Sequence, residues 1–529
     1  RGLGDVYKRQ GLKLALKTSV VSGMTLLSRI LGLVRDIVFA RFFGAGLLMD
    51  AFLVAQRIPN MLRRFFAEGA FSAGFVPVMA RYKERHDHDE AREYVGAMAG
   101  TFGVVLFVVT LIGVIGAPLL VLVVAPGFVG DGGDFDLAAL MLRFTFPYLF
   151  FISLTAFAGG VLNTYGRFGV PAFTPVILNV VLIAAAVWVA PMLEQPIMAL
   201  AYAIFVAGLA QLLFQLPFLA SIRALPRPRW RPRHEGVRRA FRLMVPAIFG
   251  SSVAQINVLV SGIIASLLPV GSISYLYYSD RLMEFPLGLF GIALATVTLP
   301  YLSRLWANDD KSEFAETLEW SMRIAVLIAV PAAIGLIVLA APLVVTLFHG
   351  GEFDARSVEM TAIALQAYAV GLIGFSYVKI LAPAFFARED TRTPVRIGIV
   401  ALVVNVVLGS SAAWYMTARG LAGPHMALAA ATSVAAVLNA VLLYRGLRKA
   451  GVVSHGPGWS ALLLRVLFAN AAMIGVLWQL HRDTSWWLAN GLADRVAWLA
   501  FSVIAGVGAY FFALLALGMR PAQFRMRQS

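Results

Sequence analysis

Long apolar runs alternate with short polar punctuation along almost the whole chain. A helix that crosses the roughly 30 Å hydrocarbon core of a bilayer needs about 20 apolar residues at 1.5 Å each. Runs of that length, bounded by glycine, proline or charge, predict about fourteen spans. They fall at 18–43, 50–78, 95–124, 138–163, 171–190, 198–221, 243–268, 273–301, 321–347, 358–387, 395–415, 422–444, 461–480 and 496–518. The expected fold class is an all-α polytopic membrane protein. Residues 1–10 show neither helical periodicity nor apolar character and are set aside as extraneous to that fold.

The first two spans break their own pattern. They contain Arg29-Ile-Leu-Gly-Leu-Val-Arg35-Asp36, then Arg41 and Asp50, then Gln56-Arg57-Ile-Pro-Asn60-Met-Leu-Arg63-Arg64-Phe-Phe-Ala-Glu68. Each charge facing lipid costs about 2.5–3.5 kcal/mol on insertion scales. Even seven of these nine charges would sum to roughly 20 kcal/mol, more than the whole stability of a typical domain. These side chains must therefore face water or a counter-ion. Asp36 and Glu68 cannot neutralise all the arginines, so the expectation is a cationic, water-filled central cavity that waits for an anionic guest. Guanidinium suits a diphosphate, because its planar fork donates bidentate, charge-assisted hydrogen bonds and does not deprotonate.

The landmarks repeat. Pro77-Val-Met-Ala-Arg81 returns as Pro300-Tyr-Leu-Ser-Arg304, Ala117-Pro118-Leu119 as Ala341-Pro342-Leu343, and Pro171 as Pro394, at one near-constant offset. Six spans separate the copies, which makes this a parallel duplication about an axis along the membrane normal. The expected division is a first six-helix lobe over 1–222, a second over 223–450, and an added helix pair over 451–529. The second lobe brings its own charge: Asp280, Arg281 and Glu284 in the eighth span and Lys379 in the tenth. Arg281 and Glu284, three residues apart, can pair on one helix face. Ion pairs that lock helices together are the competing reading for this group.

Composition agrees with the spans. The chain has 529 residues, 60% hydrophobic and 14% charged, with a mean hydropathy of +0.80; soluble proteins sit nearer 45–50% apolar and 25% charged. The net charge of +16 comes from lysines and arginines gathered in alternate loops. The densest run is Arg223, Arg227, Arg229, Arg231, Arg233, Arg238, Arg239 and Arg242, whereas the opposite loops carry Asp131, Asp134, Asp136, Glu352 and Asp354. That asymmetry places both termini in the cytoplasm and makes the number of spans even; it calls for no nucleic-acid partner. There is no cysteine, which excludes disulfides, a thiol nucleophile and thiolate metal sites. The seven histidines lie in loops or at span ends, and His86-Asp-His88-Asp reads as a solvated loop rather than a metal site. No P-loop, HExxH or GxSxG is present. No catalytic residue, metal or cofactor is expected, and the chain is read as a transporter rather than an enzyme.

The segments Ser28-Arg29-Ile-Leu-Gly-Leu-Val-Arg35-Asp36, Phe43-Gly-Ala-Gly46, Asp50-Ala-Phe, Pro59-Asn-Met-Leu-Arg63-Arg64-Phe-Phe-Ala-Glu68-Gly-Ala-Phe71 and Tyr278-Ser-Asp280-Arg281-Leu-Met-Glu284-Phe-Pro286 closely resemble the MurJ (MviN) lipid II flippases of the MOP exporter superfamily. The resemblance implies two six-helix lobes around a central cavity and two extra C-terminal helices that form a groove for a lipid tail. It implies that Arg29, Arg35, Arg63 and Arg281 line the cavity. Asp36, Asp50, Arg64, Glu68, Asp280, Glu284 and Lys379 are then supporting charges. The implied task is to move undecaprenyl-diphosphate-linked disaccharide-pentapeptide from the cytoplasmic to the outer leaflet of a bacterial inner membrane by alternating access, within reach of the cell-wall synthesis machinery. Turnover would be coupled to the membrane potential or to a cation. Rival classes are a flippase for another lipid-linked oligosaccharide, a cation-coupled small-molecule exporter, which needs an acidic cavity, and a scaffold protein, which needs no buried arginine.

Overall fold

The computed structural model describes residues 2–85, 88–130, 135–453 and 458–520; the side chains of 2–18, 67–70, 72–73, 85, 88, 247–254 and 289–299 fall outside that description. Among the described residues the architecture is helical throughout, with a single isolated bridge between Gly350 and Phe353 and no strand. The chain divides into two compact units, Arg1–Val270 and Gly271–Ser529.

The first unit contains α1 (Gly2–Phe43), α2 (Leu47–Arg63), a π-helical stretch (Arg64–Gly69), α3 (Ala70–Arg85), α4 (His88–Ile115) and α5 (Ala117–Val124). It continues with α6 (Phe135–Thr145), α7 (Tyr148–Thr164), α8 (Gly169–Ala184), α9 (Met198–Ser221) and α10 (Glu235–Ser266). Helix α1 starts at Gly2, well before the apolar segment expected to define it. Gly2–Phe43 contains no proline, and its leucines, lysines and arginines are good helix formers. A helix already nucleated in the membrane therefore propagates outward at little cost. The core of this unit is aromatic: Phe71 stacks on Phe75 at 4.9 Å and on Phe102 at 5.3 Å, and Phe75 meets Phe157 at 5.0 Å. Such pairs add about 0.5–1.5 kcal/mol each beyond their burial.

The second unit contains α11 (Ser272–Ala307), α12 (Lys311–Val338), α13 (Ala340–Phe348), α14 (Ala355–Val370), α15 (Leu372–Ala387), α16 (Arg392–Ala418), α17 (His425–Lys449), α18 (Trp459–Gln479), α19 (Thr484–Ala489) and α20 (Leu492–Ala516). Packing pairs recur between the units. Helix α7 lies on α9 and α15 on α17; α8 lies on α9 and α16 on α17; α4 lies on α7 and α12 on α15. Helices α18 and α20, expected as a separate addition, pack on α12 and α13, and Tyr510 of α20 donates to the Leu327 carbonyl at 2.8 Å. In the loop before α14, Asp354 caps the helix by accepting from the Ser357 amide at 2.8 Å. Its hydrogen bonding to Ser357 holds the carboxyl below its ordinary range.

Nine described helical stretches are long and apolar enough to cross a membrane, and α14 with α15, bent by 42°, would make a tenth. Among the other long stretches, α1 and the α2–α3 rod carry the intramembrane charges, while α10 and α11 lie partly outside the described side chains. Outward faces are apolar: Ile115 is 70% exposed, Phe512 74% and Trp478 79%. A water-soluble surface would not present these in such density; acyl chains cover them.

The expected division at 222/223 puts α10 with the second copy, but α10 packs on α3, α4 and α5 of the first unit. Glycine is the reason. A Cβ at Gly74 of α3 would sit 2.7 Å from the Ala240 carbonyl oxygen, and one at Gly127 would sit 1.9 Å from that of Ser266. Backbones meet at both ends of α10, as small residues allow in membrane bundles. Gly74→Val should therefore destabilise the purified protein by about 1–3 kcal/mol through overpacking, read from thermal unfolding in detergent. Gly335→Val, at a position with nothing within 4 Å, should leave the transition unchanged.

Candidate intramembrane charge site

Helix α1 carries the expected charges as two different kinds of group. Arg29 is exposed and makes no ion pair among the described residues. Arg35, six residues later, is only 9% exposed and Asp36 only 2%. The Arg35 Nε and Nη2 both donate to Asp36 Oδ1, at 3.0 and 2.7 Å, and Nη1 donates to Asn179 Oδ1 on α8 at 3.1 Å. Asn179 in turn donates from Nδ2 to the Ser28 carbonyl at 3.0 Å. Gly32 lies under this amide, with its Cβ direction 3.9 Å from Nδ2. Asp36 matches the charge of Arg35, and the bond from Arg35 to Asn179 ties α1 to α8.

The second span is not one regular helix. Its α2 portion places Asp50, 3% exposed, in the first turn, where the helix dipole favours a carboxylate. The α-helical pattern then gives way to the π-helical stretch Arg64–Gly69, beginning where the arginines cluster. Such widened turns re-aim side chains and occur often at functional sites. Arg63 is half-buried and donates from Nε to Asn60 Oδ1 at 3.0 Å. Arg64 is exposed and reaches Gln255 Oε1 on α10 at 3.4 Å. The side chain of Glu68 lies outside the described residues, as do the side chains of the His86–His88 motif.

Arg57 is the residue that sequence reasoning passed over. Its guanidinium lies on Gly262 of α10, where a built Cβ would come within 1.6 Å of Nη1. Asn179 was passed over too. Its signal is a lone amide in the apolar run Val176-Ile-Leu-Asn179-Val-Val-Leu, a pattern that marks interhelical hydrogen bonding.

The second unit holds the other group. Arg281 Nη1 donates to Glu284 Oε2 at 3.2 Å, as the three-residue spacing predicts, and both side chains are well exposed, at 40% and 51%. The Arg281 guanidinium also lies 5.1 Å from the centre of the Tyr277 ring. A pair this exposed is screened and contributes about 0–1 kcal/mol. Asp280 is half-buried in the same helix, and Lys379 is exposed on α15. Among the described residues no group of three or more side chains is arranged to hold a metal ion.

Residues 39–497 match the profile of the family described as lipid II flippase MurJ. The probable lipid II flippase MurJ of Vibrio cholerae is 47% identical over 509 residues, covering 95% of both chains. The lipid II flippase MurJ of Burkholderia cenocepacia is 44% identical over 513 residues, covering 96% of this chain and 98% of its own. Among solved structures, an inward closed conformation of lipid II flippase MurJ superposes with a TM-score of 0.75 at 25% identity, covering 93% of this chain and 97% of that one. An inward-facing MATE family multidrug transporter of the MOP superfamily, 14% identical with a TM-score of 0.65 over 82% of this chain and 98% of its own, shares the fold.

The two kinds of arginine on α1 should separate in stability measurements. Asp36→Ala leaves Arg35 buried without its carboxylate and should cost about 3–5 kcal/mol. Arg29→Ala should change stability by no more than about 0.5 kcal/mol. Both are read from unfolding of the purified protein in one detergent.

Proposed function

This chain belongs to the lipid II flippase MurJ family, and we propose that it carries undecaprenyl-diphosphate-linked disaccharide-pentapeptide across the inner membrane using Arg29, Arg63 and Arg281 as its anion-holding groups. Family membership across nearly the whole chain carries the reading. The geometry that supports it is Arg29: an exposed guanidinium on a membrane helix, with no carboxylate partner among the described residues. The head group to be moved is large, polar and anionic, and cannot enter hydrocarbon unaided. Its diphosphate presents oxygens that a guanidinium binds by two parallel hydrogen bonds. The lipid tail stays in the bilayer while the head passes, and α18 with α20 would provide its groove.

In this reading the charged side chains divide the labour. Arg29 and Arg63 contribute guanidinium donors to the diphosphate. Arg281 exchanges Glu284 for the diphosphate. Arg35, Asp36 and Asn179 fix the angle between α1 and α8, so that Arg29 is presented at a constant position. No bond is made or broken. Alternating access exposes these arginines to each side in turn, driven by the membrane potential or a cation gradient, and delivers the precursor to the cell-wall machinery outside. Both termini stay in the cytoplasm.

Arg29→Ala and Arg63→Ala should insert and fold normally, yet fail to sustain growth when they replace the resident flippase, with lipid-linked precursor accumulating on the cytoplasmic side. Lysine should rescue poorly at either position, because it offers a point charge in place of a fork. Full growth supported by both alanine variants would remove these arginines from the mechanism.

Orientation is checked separately, since the chain has no cysteine. A cysteine placed by Glu352→Cys should react with a membrane-impermeant maleimide in intact cells. One placed by Lys311→Cys should react only after permeabilisation.

A further inference from the structure

The stretch from Arg223 to Arg242, which joins α9 to α10 and runs into the first turns of α10, holds eight arginines and one carboxylate, Glu235. All eight arginines are exposed. Among the described residues only Arg231 makes an ion pair, with Glu93 of α4. The charge bias that orients a membrane protein requires basic residues on one side and nothing more. This segment has further features that such a bias does not require.

Its backbone is fixed in place. The Arg229 amide donates to the Gly96 carbonyl at 3.0 Å, and the Arg231 amide donates to Thr101 Oγ1 at 3.2 Å. The chain lies so close to α4 that a Cβ at Gly96 would come 2.7 Å from the Arg227 carbonyl oxygen, and one at Gly100 would come 2.3 Å from that of Arg229. Pro226, Pro228 and Pro232 stiffen the same segment by fixing their own φ angles. The guanidinium groups are therefore displayed on a rail along α4. Between them, Leu225 is 45% exposed and Trp230 is 57% exposed; tryptophan is the residue enriched at the headgroup level of bilayers. An open depression of about 540 Å³ is lined by Trp230, Arg231, Pro232, Arg233 and His234.

We propose that this linker is a docking surface for anionic phospholipid headgroups of the cytoplasmic leaflet. The arginines engage lipid phosphates, and Trp230 and Leu225 seat at the boundary with the acyl chains. Clusters of four to eight basic residues beside a membrane helix have the charge density that attracts such lipids. A nucleic acid would be met by the same charges but would leave the two apolar side chains without a role. The surface stands independently of which substrate the intramembrane arginines carry.

The full-length chain carrying Leu225→Cys offers a single thiol for an environment-sensitive fluorophore. In nanodiscs containing one-third phosphatidylglycerol the emission should shift to the blue, and a quencher attached to lipid should reach it. In pure phosphatidylcholine nanodiscs, or at high salt, the shift should be lost. Native mass spectrometry of the otherwise unaltered protein should show phosphatidylglycerol retained at least threefold over phosphatidylcholine, with the ratio falling towards one in the Arg227→Gln, Arg229→Gln, Arg233→Gln triple variant. The same emission in both nanodiscs, equal retention of the two lipids, or preferential binding of short RNA with no lipid dependence would overturn the proposal. If the triple variant fails to insert, the labelled and unaltered proteins still decide the question.

Discussion

A charge inside a bilayer must be answered by something, because hydrocarbon offers neither hydration nor counter-ions. Most of the distinctive structure in this protein is an answer of that kind. Arg35 is answered in full, by both Asp36 and Asn179, and its answer doubles as a clamp between two helices. Arg63 donates to a neighbouring amide, and Arg281 pairs with an exposed carboxylate. Arg29 has no carboxylate partner among the described residues. The charges thus differ in surroundings, from a buried, neutralised pair to an exposed guanidinium.

Glycine sets the geometry in which those answers are possible. Arg57 can lie on α10 only because position 262 has no side chain, and α10 can lie on α3 only because position 74 has none. In water such contacts would be driven by burial of apolar surface. In lipid, where surrounding and buried surfaces are equally apolar, close backbone approach and polar contacts between helices do that work. This is why the packing of α10 is governed by glycine, while the aromatic cluster around Phe71 and Phe75 fills the space behind it. The π-helical stretch at Arg64 belongs with these features: it changes the facing of the arginine-bearing segment without a proline break at that point.

The chain belongs to the lipid II flippase MurJ family, and in its sequence guanidinium outnumbers carboxylate along the first two helices. A MATE transporter shares the fold at 14% identity, so the scaffold alone does not select the cargo. What would select it is the excess of guanidinium over carboxylate on α1 and α2. Directional transport would then require only that the arginines be presented to each side in turn, without chemistry on the substrate.

The helical class, the presence of many apolar stretches long enough to cross a membrane and the Arg281–Glu284 pair were all legible in the one-dimensional pattern, because each depends on hydrophobic run length or on spacing within a single helix. Other features were not. The Arg35–Asp36 pair joins sequence neighbours, whose side chains leave a helix in different directions; only the long arginine side chain, folded back and held by Asn179 from α8, brings the charges together. The packing of α10 on α3 and α5 was equally hidden, because it depends on glycines distant in sequence. Sequence by itself determined which residues carry charge and how far apart they lie along each helix. Tertiary structure decided which of those charges are neutralised, since that depends on what a neighbouring helix brings within about 3 Å.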